Sequence, residues 1–205
     1  MSDNYYISFV VATRNDNHGG NMKQKNQFFI DRWCYITAKY NLACELIIVD
    51  WNPLEENSNL QTLIKFPRLN KNQKIRIIKV PYKYHNIYKS SSKLNFYQMQ
   101  AKNVGIRRAK GKFILCTNID IIFSDEIIKF LSKKNLDENK VYRTDRYDID
   151  FNLFENINKD SNFFMSYCTG IHKKIYSIDL KTNKKYFIYR SIVRIFYEET
   201  IDFLF

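Results

Sequence analysis

Glycine and proline are scarce in this chain, at 5 and 3 of 205 residues. That is too few for a β-sandwich of many short strands joined by tight turns. No apolar run approaches the roughly 18 residues that a membrane-spanning helix needs. The opening Met1-Ser2-Asp3-Asn4-Tyr5 has neither the basic start nor the apolar stretch of a secretory leader. The four cysteines, Cys34, Cys44, Cys116 and Cys168, form no C-x-x-C pair. This speaks against a zinc site or a disulfide framework and for reduced, buried thiols. These absences together predict a cytoplasmic location. Acidic residues are missing between Asn57 and Ile119, while 14 Lys and Arg fall between Lys65 and Lys112. A series of carboxylates starting at Asp120 then follows. With a net charge of +12, this order of signs suits an anionic ligand held with a metal ion. It equally suits nucleic acid or an anionic membrane surface.

What is present is a regular alternation. Residues 6–12 (YISFVVA) form an unbroken apolar run of strand length, 45–49 (ELIIV) read as a second buried strand, and 74–80 (KIRIIKV) and 112–117 (KFILCT) as a third and fourth strand. Runs without polar alternation read as strands buried on both faces, as in a parallel sheet covered by helices. Between them lie helical patterns. Residues 22–40 carry Phe28, Phe29, Trp33, Ile36 and Tyr40 on one stripe. Residues 60–66 suggest a short helix. Residues 94–109 place Leu94, Tyr97, Ala101 and Val104 at helical spacing, with Gly111 beyond a basic last turn. Residues 125–131 begin another helix, with Ser124 as its N-cap. The expectation is an α/β chain with a mainly parallel central sheet flanked by helices.

Beyond about residue 135 the pattern loosens. Residues 141–147 suggest a strand, 151–160 a polar loop, and 163–176 are ambiguous. In the last segment Arg190, Arg194, Glu198 and Asp202 recur every four residues among aromatic and apolar neighbours. This predicts an amphipathic C-terminal helix that packs on the core, on a second copy in a homodimer, or at a membrane interface.

In an open parallel sheet, ligands bind outside the carboxyl ends of the strands. The residues expected there are polar and come from three strands: 13–16, 50–52 and 118–120. With a side-chain period of two, Asn118 and Asp120 point the same way while Ile119 points back into the core. Two such oxygens suit a hard divalent cation shared with phosphate; a turn or a helix cap at Asp120 is the plainer alternative. A P-loop is excluded, because the spacing around Gly105 and Gly111-Lys112 is wrong and Phe113 stands where Ser or Thr is needed. His18, His85 and His172 have no metal-ligand spacing and are expected on the surface or in loops, with His18 able to line the strand-end site. No G-x-S-x-G elbow is present.

The string from Ala101 to Asp120 (AKNVGIRRAKGKFILCTNID) resembles the A-R-N-x-G-x-x-x-A-x-G-x-(strand)-D-x-D signature of family 2, GT-A fold glycosyltransferases. Residues 9–15 (FVVATRN) look like the first strand and T-x-N turn of that family, and 46–50 (LIIVD) like its second strand with a terminal Asp. These three motifs occur in family order over roughly the first 135 residues. The resemblance implies one GT-A-like domain over residues 1–205, with a nucleotide-sugar-binding core at 1–135 and an acceptor-side region at 136–205.

It further implies a nucleotide-diphosphate-sugar donor contacted by Thr13, Arg14, Asn15, Asp50, Lys102, Asn103 and Asn118. Asp120 would bind Mn²⁺ or Mg²⁺ on the diphosphate. A glycan or lipid-linked saccharide would be the acceptor, reached in the cytoplasm or peripherally at the membrane, with no role for nucleic acid. Asn118 replaces the first Asp of D-x-D, so one negative ligand is lost. No E-D-type catalytic motif stands downstream, and Asp145 and Asp148 are the candidates for the base. At 205 residues the chain is short for the family, which leaves open an acceptor region that is truncated or supplied by a partner. The expected activity is metal-assisted, inverting sugar transfer. The alternatives are a catalytically degenerate nucleotide-sugar-binding or scaffold protein and, further off, a basic nucleic-acid-binding α/β domain.

Overall fold

The computed structural model describes residues 5–14, 16, 20–54, 60–144, 146–149, 168–172, 176–179 and 185–187. The chain divides into two compact units, Met1–Leu136 and Asp137–Phe205. In the first, strands β1 (Ile7–Thr13), β2 (Cys44–Trp51), β3 (Gln73–Val80) and β4 (Phe113–Cys116) form a four-stranded sheet in the order β3-β2-β1-β4. All its pairings are parallel. Helices α1 (Met22–Lys39), α2 (Leu60–Leu63), α3 (Tyr82–His85), α4 (Gln98–Ile106) and α5 (Asp125–Ser132) connect or follow the strands.

The apolar strand runs are buried along their whole length in β1 and β2 because each face carries its own layer. Phe9, Val11, Leu46 and Ile48 join Phe29, Ile30, Trp33 and Ile36 of α1 and Ile128 and Leu131 of α5. The alternate residues Val10, Ala12, Ile47 and Val49 join Ala101 of α4 in a second cluster. The period of two thus sorts one strand between two cores. Edge-to-face ring contacts of Phe9 with Trp33 (5.9 Å) and Phe123 (5.2 Å) fill the α1 side. On the other side α4 packs tightly on the sheet at Gly105. A Cβ on Gly105 would come within 2.6 Å of Val10 Cγ1.

One helix start shifts from its expected place. The helix expected from Leu94 starts at Gln98. Lys93 and Leu94 instead turn back with their N–H groups on the Ser90 carbonyl, and Leu94 is exposed. Tyr97 packs its ring against Trp51 and Tyr88, so tertiary contacts override the helical spacing. Ser124 caps α5 as expected, its hydroxyl accepting from the Ile127 N–H at 3.4 Å.

A buried polar knot ties the start of the sheet together. Glu45 is fully buried and accepts from the Ser8 hydroxyl (2.6 Å), the Lys110 N–H (2.6 Å) and Arg76 Nε (2.8 Å). Gly111 donates its N–H to Ser8 Oγ at 2.7 Å. The loop into β4 runs so close to β1 that a Cβ on Gly111 would lie 2.4 Å from Ser8 N. The second unit is an antiparallel sheet in the order β5 (Arg146–Ile149), β6 (Cys168–His172), β7 (Tyr176–Asp179), β8 (Lys185–Phe187). The strand expected at 141–147 thus begins at Arg146. The polar loop of 151–160 and the C-terminal helix lie outside the described residues.

Candidate functional site at the carboxyl ends of the strands

Successive strands run outward from β1 to β2 to β3, and the chain then returns through α4 to place β4 on the other side of β1. The order therefore reverses between β1 and β4, and such a switch point opens a crevice at the carboxyl ends. Thr13-Arg14 borders it from β1 and Thr117 to Asp120 from β4. The Thr117 N–H bonds the Val10 carbonyl at 3.0 Å, which fixes how the β4 end leaves the sheet.

Thr13 and Asp50 stand opposite each other in the β1–β2 register, and both are buried. Asp50 Oδ1 has no hydrogen-bond partner among the described residues. Burial pushes its carboxyl up to about 6, against a smaller pull downward from Lys79. Lys79 is its register neighbour on β3 and is exposed. A buried carboxylate left unpaired at a strand end costs stability unless a ligand donor completes it.

Arg14 is also buried; its Nε donates to the Asn52 carbonyl at 3.0 Å, and its guanidinium pairs with Asp16. Asn52 is the hub of this edge. It adopts a left-handed backbone (φ 48°), donates its N–H to the Val80 carbonyl (2.8 Å) and its amide to the Asn95 carbonyl (3.1 Å). Asn tolerates that conformation better than most residues. Arg14 thus links the loop after β1 to the loop after β2, and Asn52 carries the link on to β3 and the approach to α4.

On the α4 side, Asn118 Oδ1 accepts from Lys102 Nζ at 2.6 Å and from Gln98 Nε2 at 2.8 Å. Gln98 and Lys102 are four residues apart and share a helix face. Burial draws the Lys102 ammonium below its ordinary value, partly offset by its electrostatic interactions with Cys116 and with the Asp120 carboxylate. Ile119 is buried in the core and Asp120 is exposed; both lie in a turn beyond β4, closed by the Ile121 N–H on the Asn118 carbonyl at 3.2 Å. Asn103 is exposed on α4, about 100° of helix rotation from Lys102. It therefore stands apart from the Gln98–Lys102–Asn118 cluster. Asn15 and Asp145 lie outside the described residues; Asp148 belongs to β5, and its side chain lies outside them too.

Toward a cation, Asn118 and Asp120 offer one amide oxygen and one exposed carboxylate. Mg²⁺ keeps several waters and takes one or two carboxylates together with substrate phosphates. Here an amide oxygen has both lone pairs occupied, one of them by an ammonium, next to a single carboxylate. Among the described residues, no three His, Cys, Asp or Glu side chains come together where they could hold a metal.

Sequence reasoning overlooks several residues that shape this edge. Gln98 is one; its only signal is the four-residue spacing to Lys102. His85, expected at the surface, is buried. Its Nδ1 accepts from the Trp51 indole N–H at 3.0 Å, and Nε2 lies 3.2 Å from the Ser91 carbonyl. Because an indole only donates, Nδ1 must be the acceptor and Nε2 carries the hydrogen. Both ring nitrogens are then satisfied, which is what permits burial. Trp51, Tyr88 and Tyr97 close a ring cluster around it, with the Tyr97 hydroxyl buried and unpartnered among the described residues.

Compared with models of known protein families and with curated proteins, the chain matches none.

Proposed function

We propose that this protein is a GT-A-like glycosyltransferase. It binds a nucleoside-diphosphate sugar across the carboxyl edge of the parallel sheet and passes the sugar to a hydroxyl acceptor. The observation that carries this reading is Asp50: a buried carboxylate with an unpartnered oxygen, in register with Thr13 beside the switch point. Such a group suits a ribose hydroxyl or a base N–H. Arg14 and Asn52 brace the loops around it. The strand-end motifs that resemble family 2 fall on this same edge.

In the reaction, the acceptor oxygen attacks the anomeric carbon as the bond to the diphosphate breaks. The electron pair leaves on the nucleoside diphosphate, and the acceptor proton passes to a base, for which Asp145 and Asp148 are proposed. Positive charge near the diphosphate stabilises the departing group. The crossing from β3 to α4 and the first turn of α4 expose Tyr82, Tyr84, Ile87, Leu94 and Met99 beside Lys83, Lys89 and Lys93. That mixture suits a glycan acceptor carried on an anionic lipid, met from the cytoplasm. Among the described residues no helix is long and apolar enough to cross a membrane.

A thermal-shift screen of nucleotide-sugars, followed by a transfer assay on the responders, tests the reading. A ligand at 100 times its Kd adds about 2.7 kcal/mol of stability, and Asp50→Asn should abolish the response. No response from any nucleotide-sugar rejects the proposal. Binding without turnover on any hydroxyl acceptor supports the second reading, a non-catalytic nucleotide-sugar binder, which Asn118 in place of the first D-x-D carboxylate favours.

A further inference from the structure

We infer that the charge balancing the donor diphosphate is the Lys102 ammonium, presented by Asn118, and that nucleoside diphosphates bind without a divalent cation. This rests on the donor-site reading above and replaces the metal that the resemblance implies.

The geometry identifies the atoms. An ammonium only donates, so the Asn118 atom 2.6 Å from Lys102 Nζ is the amide oxygen. Gln98 takes that oxygen's second lone pair at 2.8 Å. A cation approaching Asn118 would find no free lone pair and would be repelled by the ammonium. The NH₂ end of the same amide is left as a donor, and a phosphate oxygen is its natural acceptor.

The choice of Asn over Asp follows from the same arrangement. An Asp at position 118 would pair with Lys102 and cancel its charge. An amide holds the ammonium by its dipole and leaves a full positive charge for a ligand. No carboxylate hydrogen-bonds Lys102 among the described residues, and Asp120 is exposed and interacts with it only through its charge. The α4 helix fixes the lysine further, since Ala101 and Gly105 beside it are buried against the sheet. Lys79, exposed near the end of β3, supplies a second cation on this edge.

The test is calorimetric titration of the full-length chain with UDP, GDP, CDP, ADP and dTDP, each also as its monophosphate and nucleoside, in EDTA and again in Mn²⁺. At least one diphosphate should bind in EDTA, with its Kd changed less than about threefold by Mn²⁺, below the tenfold that 1.4 kcal/mol represents. Lys102→Ala should weaken the diphosphate about tenfold or more while sparing the nucleoside, as expected for one charge-assisted contact. Lys102→Arg should keep most of the affinity, and Asn118→Asp should weaken binding in EDTA. Lys102→Gln serves if the alanine variant melts early. Binding that EDTA abolishes and Mn²⁺ restores overturns this inference but leaves the donor-site reading standing. So does a Lys102→Ala loss that is equal for nucleoside and diphosphate, or no loss at all. No nucleotide binding under either condition overturns both.

Discussion

Asp50 of β2 faces Thr13 of β1 across a parallel register, with both side chains buried and one Asp50 oxygen unpartnered among the described residues. The pair sits where the sheet's two layers end and its loops begin. The packing that secures the strands therefore holds a costly group at the carboxyl edge of the sheet.

That cost is measurable as a pH dependence. The folded Asp50 titrates near 6, the unfolded chain near 3.8. Between these values the folded protein holds a proton that the unfolded chain has released, so stability falls as pH rises through this window. Asp50→Asn removes the titration. It should stabilise the protein by about 2–3 kcal/mol at pH 7.5 and by little near pH 3.5. Urea unfolding at the two pH values checks this. The same variant should lose nucleotide binding, so one substitution raises stability and removes function. Equal stabilities at both pH values would show that Asp50 is not held under this burden.

Asp125 titrates in the opposite sense. Burial alone would raise its carboxyl, but hydrogen bonds from Lys39 (2.6 Å), Arg32 (2.7 Å) and Tyr40 (2.8 Å) outweigh burial and hold it below the usual range. Its stabilisation is complete above the ordinary carboxylate pKa and is lost as pH falls through the lowered one. Asp125→Asn should cost about 2 kcal/mol or more at pH 7, because the almost fully buried Arg32 loses its ion pair with the Asp125 carboxylate. The difference from wild type should shrink toward pH 2. Unfolding midpoints measured from pH 2 to pH 7 decide it.

Glu45 predicts a larger loss. Its carboxylate joins β1, β3 and the loop into β4 through Ser8, Arg76 and the Lys110 N–H. Glu45→Ala should destabilise by about 3 kcal/mol, and Glu45→Gln by less, since one acceptor oxygen survives. Chemical denaturation of the two variants gives the order. A Glu45→Ala protein as stable as wild type would mean the knot does not hold these strands.

The parallel sheet was legible because strands covered on both faces carry continuous apolar runs, and residues 6–12 and 45–49 are such runs. Once strand ends are placed, Thr13, Asp50 and Asn118 follow as the polar residues at the carboxyl edge. The interactions that give them chemical character were not legible. Glu45 lies inside an apolar run, and its partners Ser8 and Lys110 are 37 and 65 residues away. His85 stands among lysines and tyrosines and looks like surface until Trp51, 34 residues earlier, supplies its hydrogen bond. Leu94 fits a helical stripe, but the rings of Trp51, Tyr88 and Tyr97 settle where α4 begins. Periodicity records which face is buried, not which polar groups meet there.

The two glycines in the Ala101–Asp120 string should respond differently to alanine, because different atoms crowd them. At Gly105 the added Cβ meets Val10 Cγ1 at 2.6 Å and Val49 Cγ2 at 3.2 Å, both side-chain atoms. At Gly111 it meets Ser8 N at 2.4 Å and the Ile7 carbonyl carbon at 2.6 Å, both backbone. Gly105→Ala should cost about 1–2 kcal/mol, since overpacking is partly offset by alanine's better helix propensity. Trimming the neighbour with Val10→Ala should then couple favourably to it in a double-mutant cycle. Gly111→Ala should cost about 3 kcal/mol or more, because the loop must move off β1 and break the Gly111–Ser8 bond. Ser8→Ala should not rescue it, since the clashing backbone stays. Urea unfolding of the singles and both doubles tests the contrast. If Gly111→Ala is tolerated, the loop into β4 does not lie against β1, and the approach of Asn118 to the switch point would need another support.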